Sequence, residues 1–204
     1  MSSTIVETNI WIIRHGEPED VAQGRCYGRL DVGLSPQGRL QLERVAAHLR
    51  GEPLAAIYAS PRQRATESAS ILGSHHACGI EILEGMREID FGDFEGLSYD
   101  EIAQRYPEIY RNWMERPTET RFPNGESSEH MRTRVVKTAE LLRSRHANQS
   151  VAVVTHGGVA RIMLADALEI SGANIFRIAQ RYAAINRIRY MNDYPSVELV
   201  NGTA

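Results

Sequence analysis

The chain has 204 residues, 42% of them apolar and 24% charged, which is typical of a globular protein with a full hydrophobic core. Its formal net charge is −3 and its basic residues are interspersed with acidic ones, which argues against a nucleic-acid-binding or membrane-binding surface. The apolar runs are too short to span a bilayer and the first residues lack a signal-peptide core, so we expect a cytoplasmic protein. Without repeats, low-complexity tracts or linkers, the sequence predicts a single domain over residues 1–204. Cys26 and Cys78 lack metal-ligand spacing and are expected to be reduced thiols.

The first predicted strand, residues 10–13, runs directly into Arg14, His15 and Gly16. Four consecutive apolar residues suit a strand that is covered on both faces, as in the parallel sheet of an α/β domain. Ligands of such sheets bind beyond the carboxyl ends of the strands. Arg14 and His15 would lie at such a ligand site. The alternative is an ordinary strand end with two solvated polar residues, and this stretch alone leaves both open.

A helix and a second strand follow a loop at residues 17–33. Ser35 and Pro36 are typical of a helix start, and residues 55–59 form the next short apolar run. Ser60 and Pro61 then indicate a second strand-to-helix junction, with Arg62 and Arg64 in the first helical turn. Cations there cost about 0.3–1 kcal/mol each, so this pair of arginines favours an anion bound at the same place.

Residues 80–83 are a candidate third strand, and an aromatic-rich helical excursion is predicted at about 92–126. Ser98 and Glu101 have the spacing of a capping box, and Pro107 interrupts the helical face that follows. The excursion is a candidate lid over the site. A pair of helices that simply packs on the edge of the sheet is the alternative, and the sequence leaves both open.

The strand-then-histidine pattern recurs late in the chain. A long helix is predicted from Ser127, and the apolar run 151–154 then ends in Thr155, His156, Gly157 and Gly158. A helix follows, whose N-terminal amides point toward His156. Residues 183–190 and 196–200 are predicted as two closing strands around a turn. If the sheet is parallel at these strands, the histidines and arginines converge at one edge.

Two histidines, two arginines and a carboxylic acid favour phosphate chemistry over a metal site. A metal site disfavours adjacent guanidinium groups and favours carboxylate ligands beside the imidazoles. Guanidinium groups match phosphate oxygens, and a neutral imidazole can attack phosphorus in line. His15 is thus a candidate nucleophile, Arg14 and Arg64 are candidate phosphate ligands with His156 as a further donor, and Glu88 is a candidate acid.

Four motifs in order along the chain resemble the histidine phosphatase superfamily, also called phosphoglycerate mutase-like. They are Arg14-His15-Gly16-Glu17, the segment 60–65, the segment 87–96, and Thr155-His156-Gly157-Gly158. The resemblance implies a phosphorylated histidine at His15, phosphate-binding arginines at Arg14 and Arg64, a second pocket histidine at His156 and a proton donor at Glu88. It also implies an α/β three-layer sandwich with a mostly parallel central sheet flanked by helices, and an enzyme without metal or organic cofactor.

The expected activity is a phosphatase that hydrolyses a small phosphomonoester through a phosphohistidine intermediate. Mutases of the superfamily commonly have Ser or Thr after the Arg-His-Gly-Glu element and Asn three residues further on, where this chain has Pro18 and Val21. The loop 24–32 is similar to that of α-ribazole phosphatases, so α-ribazole 5′-phosphate is a candidate substrate. Two alternatives stay open: a 2,3-bisphosphoglycerate-dependent phosphoglycerate mutase and a non-catalytic module that binds a phosphorylated ligand.

Arg29 and Gly157 are further candidates for substrate binding. Arg62 is expected to be a solvated neighbour of Arg64. We expect the remaining histidines at the surface, namely His48, His75, His76, His130 and His146. No nucleic-acid or membrane partner is expected, and the sequence leaves a homodimer open.

Overall fold

The computed structural model describes residues 5–204 and contains a central six-stranded sheet in the order β3-β2-β4-β1-β5-β6. Strands β3, β2, β4 and β1 are parallel, and β5 runs antiparallel to both β1 and β6. The strands are β1 (Glu7–Arg14), β2 (Leu54–Ala59), β3 (Ile80–Ile82), β4 (Ser150–Thr155), β5 (Ile185–Met191) and β6 (Tyr194–Gly202). The predicted mostly parallel sheet, closed by two strands near the end of the chain, is confirmed.

Helices cover both faces of this sheet. They are α1 (Pro36–Leu49), α2 (Gln63–Gly73), α3 (Tyr99–Arg105), α4 (Pro107–Glu115), α5 (Ser128–Arg145) and α6 (Gly157–Ala167). Helices α1 and α2 contribute to the core on one face, and α3 to α6 contribute to the core on the other. The result is the predicted three-layer α/β architecture. No helix among residues 5–204 combines the length and the apolar character needed to cross a membrane.

Strand β1 shows how the sequence produces these two cores. Successive side chains of a strand point to opposite faces. Ile10 and Ile12 therefore enter the core beneath α5 and α6, whereas Trp11 and Ile13 enter the core beneath α1 and α2. All four are buried, which is why this stretch is apolar without alternation.

The helix starts predicted at Ser35, Ser98 and Ser127 are confirmed, whereas α2 begins later than Ser60 and Pro61 indicate. Ser35 accepts a hydrogen bond from the Gly38 amide at 3.0 Å, and the capping box at the start of α3 is present. Helix α2 does not begin after Ser60 and Pro61 but at Gln63, and its N-terminus has no side-chain cap. The hydroxyl of Ser60 does not cap α2, because it contacts a histidine that is distant in sequence and is described below.

The excursion predicted at about 92–126 contains a 3₁₀ turn (Gly92–Phe94), α3 and α4. Its aromatic rings pack against one another: the ring centroids of Phe94 and Trp113 are 6.0 Å apart, and that of Phe122 lies 5.2 Å from Trp113. These rings belong to the core beneath α5 and α6. The segment therefore contributes to packing, and its movement as a lid stays a prediction, as does the single-domain organisation.

Candidate active site

The carboxyl ends of three parallel strands bring together His15 after β1, Ser60 after β2 and His156 after β4. Backbone hydrogen bonds hold them at one level: the His15 amide donates to the Thr155 carbonyl at 2.8 Å, and the Ser60 amide donates to the Val154 carbonyl at 3.0 Å. The centroids of the two imidazole rings are 5.2 Å apart. The predicted convergence of the two histidines is therefore observed.

His15 is 1% exposed, and its environment favours a neutral ring with a free nitrogen. Its Nδ1 lies 2.7 Å from the carbonyl oxygen of Gly16, so Nδ1 carries the proton and donates it there. Burial, followed by the charges of Arg64 and Arg14, holds the pKa of His15 well below its ordinary value, although the Gly16 bond opposes this shift. The unprotonated Nε2 is the nitrogen that can act as a nucleophile.

His156 is completely buried and is fixed by the hydroxyl of Ser60, which lies 2.6 Å from Nε2. Burial is the largest cause that lowers the pKa of His156, and the neighbouring charge of Arg64 adds to it. The opposite ring nitrogen, Nδ1, is shielded from solvent and has no hydrogen-bond partner within residues 5–204.

Arg14 and Arg64 are anchored by main-chain carbonyls rather than by carboxylates. Arg64 is 0% exposed and donates from Nη1 to Leu30 at 2.9 Å and from Nη2 to Tyr27 at 2.9 Å. Arg14 donates from Nη1 to the carbonyl of Gln180 at 2.6 Å. Neutral carbonyls orient both groups and leave their positive charges uncompensated, as an anion site requires.

The carbonyl that anchors Arg14 is itself held by a buried amide pair. The side chains of Gln180 and Asn186 exchange two hydrogen bonds, at 2.8 and 2.9 Å. Asn186 also donates to the Ile12 carbonyl of β1 at 3.1 Å and accepts from the Asn201 amide at 2.8 Å. Strand β5 thus fixes an arginine that belongs to β1.

Two tyrosines that the sequence analysis missed lie against these arginines. The ring of Tyr182 is 4.2 Å from the guanidinium carbon of Arg14, and the ring of Tyr27 is 5.0 Å from that of Arg64. Their hydroxyl groups lie 2.9 Å apart, and burial raises the pKa of Tyr27 above its ordinary range. Both rings stabilise the guanidinium groups by cation–π contact.

Four side-chain nitrogens around the histidines are shielded from solvent and lack a partner within the described chain: Nε of Arg14, Arg62 and Arg64, and Nδ1 of His156. Buried donors are nearly always hydrogen-bonded, so their accumulation at one place fits an anion that accepts from them. Arg62 was predicted to be a solvated neighbour of Arg64, and this prediction is wrong for Nε of Arg62, which is shielded from solvent. Its charge also contributes to the lowered pKa of His156.

The carboxylate of Glu88 is positioned by two backbone amides. It accepts from the Ile89 amide at 3.0 Å through Oε1 and from the Gly158 amide, near the start of α6, at 3.1 Å through Oε2. A Cβ at position 158 would overlap Oε1 of Glu88. Glycine at this position is therefore what allows the acid to approach the helix.

Arg134 on α5 holds the loop that carries Glu88, and the sequence analysis did not find it. It donates to the carbonyls of Gly85 at 3.0 Å, Arg87 at 2.6 Å and Glu88 at 3.1 Å. It also forms a paired contact with Glu126, at 2.7 and 2.8 Å. A charged residue on a predicted helix gives no local signal of such distant partners.

The other predicted site residues have mixed surroundings. Gly157 begins α6 beside the phosphate-site arginines, since a Cβ there would lie 3.4 Å from Nε of Arg14. The side chain of Arg29 is 57% exposed and pairs with Asp90 at 3.7 Å, so its contribution to substrate binding stays a prediction.

One of the histidines expected at the surface is buried. His146 is only 7% exposed, and its Nε2 lies 2.7 Å from the Tyr58 hydroxyl. The prediction of a solvated His146 is therefore wrong, because its partner lies on β2, far away in sequence.

A groove of about 1100 Å³ opens from Glu88 toward the surface. Glu88, Gly158 and Arg161 line the end of the groove beside Arg14, which we call its inner end, and its walls are largely apolar, including Trp113 and Phe122. This volume is at the upper end of the range for small-molecule sites. The groove lies between the 92–126 excursion and α6.

Basic side chains, two histidines held neutral and a carboxylate at the edge of a parallel sheet are the groups that an enzyme of phosphoryl transfer requires. The family model of the Histidine phosphatase superfamily (branch 1) matches residues 10–203. The chain belongs to this superfamily and is a phosphatase.

Individual relatives agree with this assignment. Phosphoserine phosphatase 1 of Hydrogenobacter thermophilus is 38% identical over 154 residues, which are 74% of this chain and 72% of the relative. The solved structure of Bacillus stearothermophilus YhfR is 28% identical with a TM-score of 0.90, covering 97% of this chain and 98% of that one. The alpha-ribazole phosphatase of Shigella flexneri, 22% identical, shares the fold with a TM-score of 0.87 over 95% and 96% of the two chains.

Proposed function

We propose that this phosphatase hydrolyses the phosphomonoester of a small metabolite through a phosphohistidine intermediate on His15. The observation that carries the proposal is the free Nε2 of His15 beside four unpartnered buried nitrogens. A phosphoryl group that accepts hydrogen bonds from those nitrogens would lie within reach of the nucleophile. The neutral state of His15 makes the attack feasible at neutral pH.

In the first step, Nε2 of His15 attacks phosphorus as the bond between phosphorus and the ester oxygen breaks. The leaving oxygen takes a proton from the carboxyl group of Glu88, which becomes a carboxylate. Arg14 and Arg64 offset the negative charge on the transferring phosphoryl oxygens. The proton on Nδ1 of His15 remains hydrogen-bonded to the Gly16 carbonyl, which stabilises the charge that develops on the phosphorylated ring.

In the second step, a water molecule attacks the phosphorus of phosphohistidine. Glu88, now a carboxylate, removes a proton from the water, and the bond between phosphorus and nitrogen breaks. Inorganic phosphate leaves, His15 returns to its neutral form, and Glu88 is again protonated for the next cycle. No metal or organic cofactor takes part in the proposed sequence.

The identity of the alcohol is a separate proposal. The loop 24–32 favours α-ribazole 5′-phosphate, and the relative named phosphoserine phosphatase favours phosphoserine as a second candidate. A screen of phosphate release from both compounds and from other metabolite phosphates ranks them. Formation of 2-phosphoglycerate stimulated by 2,3-bisphosphoglycerate would instead indicate the mutase alternative.

The test of the mechanism replaces His15 by Asn and Glu88 by Gln, with His48→Asn on the exposed face of α1 as the matched control. We expect hydrolysis of 4-nitrophenyl phosphate to fall about 1,000-fold or more for His15→Asn and to stay unchanged for the control. Rapid quenching of the wild type should trap acid-labile, base-stable phosphate on His15. Folded His15→Asn protein with undiminished turnover would contradict the proposal, and binding of phosphate without turnover in the wild type would favour a binding module.

A further inference from the structure

Arg161 is a second-turn residue of α6 to which the proposed reaction gives no role. Both Arg161 and Arg14 lie against Gly157. A Cβ atom placed on this glycine would be 3.1 Å from Nη1 of Arg161 and 3.4 Å from Nε of Arg14. The guanidinium group therefore stands beside the phosphate-binding arginine. Its Nε donates to the carbonyl of Ile178 at 2.9 Å, which fixes the orientation of the planar group.

The two outer nitrogens of Arg161, Nη1 and Nη2, have no hydrogen-bond partner in the chain from residue 5 onward, and no carboxylate there forms an ion pair with them. The other groove arginine, Arg132, differs because it pairs with Asp166 at 3.3 Å. Arg161 is also partly buried, and burial with the nearby charge of Arg14 lowers its pKa, whereas Glu88 opposes the shift. The ring of Phe176 lies 5.5 Å from the guanidinium carbon, and the two outer nitrogens remain available to hydrogen-bond an anion.

The position of the groove indicates that an anion bound by Arg161 would belong to the leaving group of the substrate. Glu88 lies at the inner end of the groove and must reach the ester oxygen to protonate it, so the alcohol portion of the substrate extends into the groove. Arg161 lies at the same end. The proposed reaction begins with Glu88 protonated, and no carboxylate among residues 5–204 forms an ion pair with Arg161. The first atoms of the leaving group are then its nearest potential acceptors.

We propose that Arg161 binds a carboxylate on the leaving group, so that the preferred substrates are phosphomonoesters of hydroxy acids. Of the two candidates named above, this favours phosphoserine over α-ribazole 5′-phosphate, which has no carboxylate. The planar guanidinium edge formed by Nη1 and Nη2 matches a carboxylate, and the apolar walls strengthen the attraction by excluding water. The phosphoryl group then occupies Arg14 and Arg64 while the carboxylate occupies Arg161. This inference rests on the proposed phosphatase reaction, and it adds that the enzyme selects substrates by a carboxylate on the alcohol portion.

The test compares 3-phosphoglycerate with glycerol 3-phosphate, which differ by a carboxylate in place of a hydroxymethyl group. Each compound is measured as a substrate and as a competitive inhibitor of 4-nitrophenyl phosphate hydrolysis. We expect the wild type to favour 3-phosphoglycerate by at least 10-fold in kcat/KM or in Ki. Arg161→Met should reduce this ratio at least 10-fold, and Arg161→Lys should retain part of it because the positive charge remains.

Arg50→Met is the matched control, since Arg50 is an exposed arginine that does not line the groove, and it should preserve the ratio. Thermal unfolding of all variants checks that they fold. A wild type without preference for 3-phosphoglycerate, or an equal loss with both compounds in Arg161→Met, would overturn the inference. Because 4-nitrophenyl phosphate has no carboxylate, its hydrolysis and its dependence on His15 report separately on the proposed phosphatase reaction.

Discussion

The hydroxyl oxygen of Ser60 lies 2.6 Å from Nε2 of His156, and both side chains are completely buried. The amide of Arg62 donates to the same hydroxyl oxygen at 3.4 Å, so the hydroxyl proton is free to point at Nε2. With Nε2 as an acceptor, the ring proton of neutral His156 resides on Nδ1. Nδ1 is the nitrogen without a partner, so Ser60 selects the tautomer that can donate to a phosphoryl oxygen.

Replacement of Ser60 by Ala should therefore slow the reaction without unfolding the protein. Without the hydroxyl donor, His156 can place its proton on Nε2 and turn a lone pair toward the anion. We expect kcat/KM for 4-nitrophenyl phosphate to fall roughly 10–100-fold. Nitrogen NMR shifts should report the changed tautomer of His156, which a purely structural role would not produce. Ser144→Ala, which removes an exposed hydroxyl on α5, is the control.

Gly158→Ala should damage proton transfer more than stability. The added Cβ would overlap Oε1 of Glu88, and a carboxylate at the end of a flexible side chain can move away at little cost to folding. We expect hydrolysis of alkyl phosphates, which need protonation of the leaving oxygen, to fall roughly 100-fold. Gly79→Ala, at a position with open space around the added Cβ, should behave like the wild type. Equal activity of the two variants would mean that Glu88 does not need its present position.

Arg134→Lys should alter the dependence of the rate on the leaving group. Lysine keeps the charge near Glu126 but lacks the fork that bonds the carbonyls of Gly85, Arg87 and Glu88. The loop that carries Glu88 should become more mobile. The rate should fall most for substrates whose leaving group needs protonation. We expect roughly 10-fold loss with an alkyl phosphate and a smaller loss with 4-nitrophenyl phosphate, whose leaving group needs little protonation. The exposed Lys137→Met on the same helix is the control, and uniform losses with both substrates would contradict the role in proton transfer.

Acid should destabilise the fold through its two buried histidines. The pKa values of His15 and His156 are lowered in the folded state, so below about pH 6.5 the unfolded chain binds more protons than the folded one. Stability then decreases as the pH falls, by up to about 1.4 kcal/mol per pH unit for each histidine. Denaturant unfolding between pH 7.5 and 5.5 measures this slope, and His15→Asn should reduce it. An identical slope in wild type and variant would show that His15 is not responsible.

The sequence was most informative where a residue's role follows from its place at a strand end. His15 and His156 were predicted because a buried strand without alternation must end at the ligand edge of a parallel sheet. Ser60 was predicted only as part of a strand-to-helix junction, which is what serine before proline usually indicates. Its partner lies 96 positions away, and only the pairing of β2 with β4 brings the two together.

Charged residues on helices were the least predictable. Arg134 and Arg161 lie on helices, where arginine is normally exposed. No residue near either of them in the sequence indicates which groups it contacts. Arg62 was misread for the same reason, since only the folded chain shows that its Nε is shielded from water. Local sequence patterns determine which face of a helix enters the core. The position of a single buried arginine depends instead on carbonyl groups that come close to it only in the folded chain.

The anchoring of Arg14 has a consequence for the order in which the protein becomes active during synthesis. The arginine is made early, but the carbonyl of Gln180 that orients it, and the Asn186 amide that holds Gln180, are made late. A nascent chain whose β5 is still inside the ribosome carries Arg14, beside the proposed nucleophile His15, without this anchor. Completion of the proposed phosphate site is thereby coupled to the emergence of β5 from the ribosome.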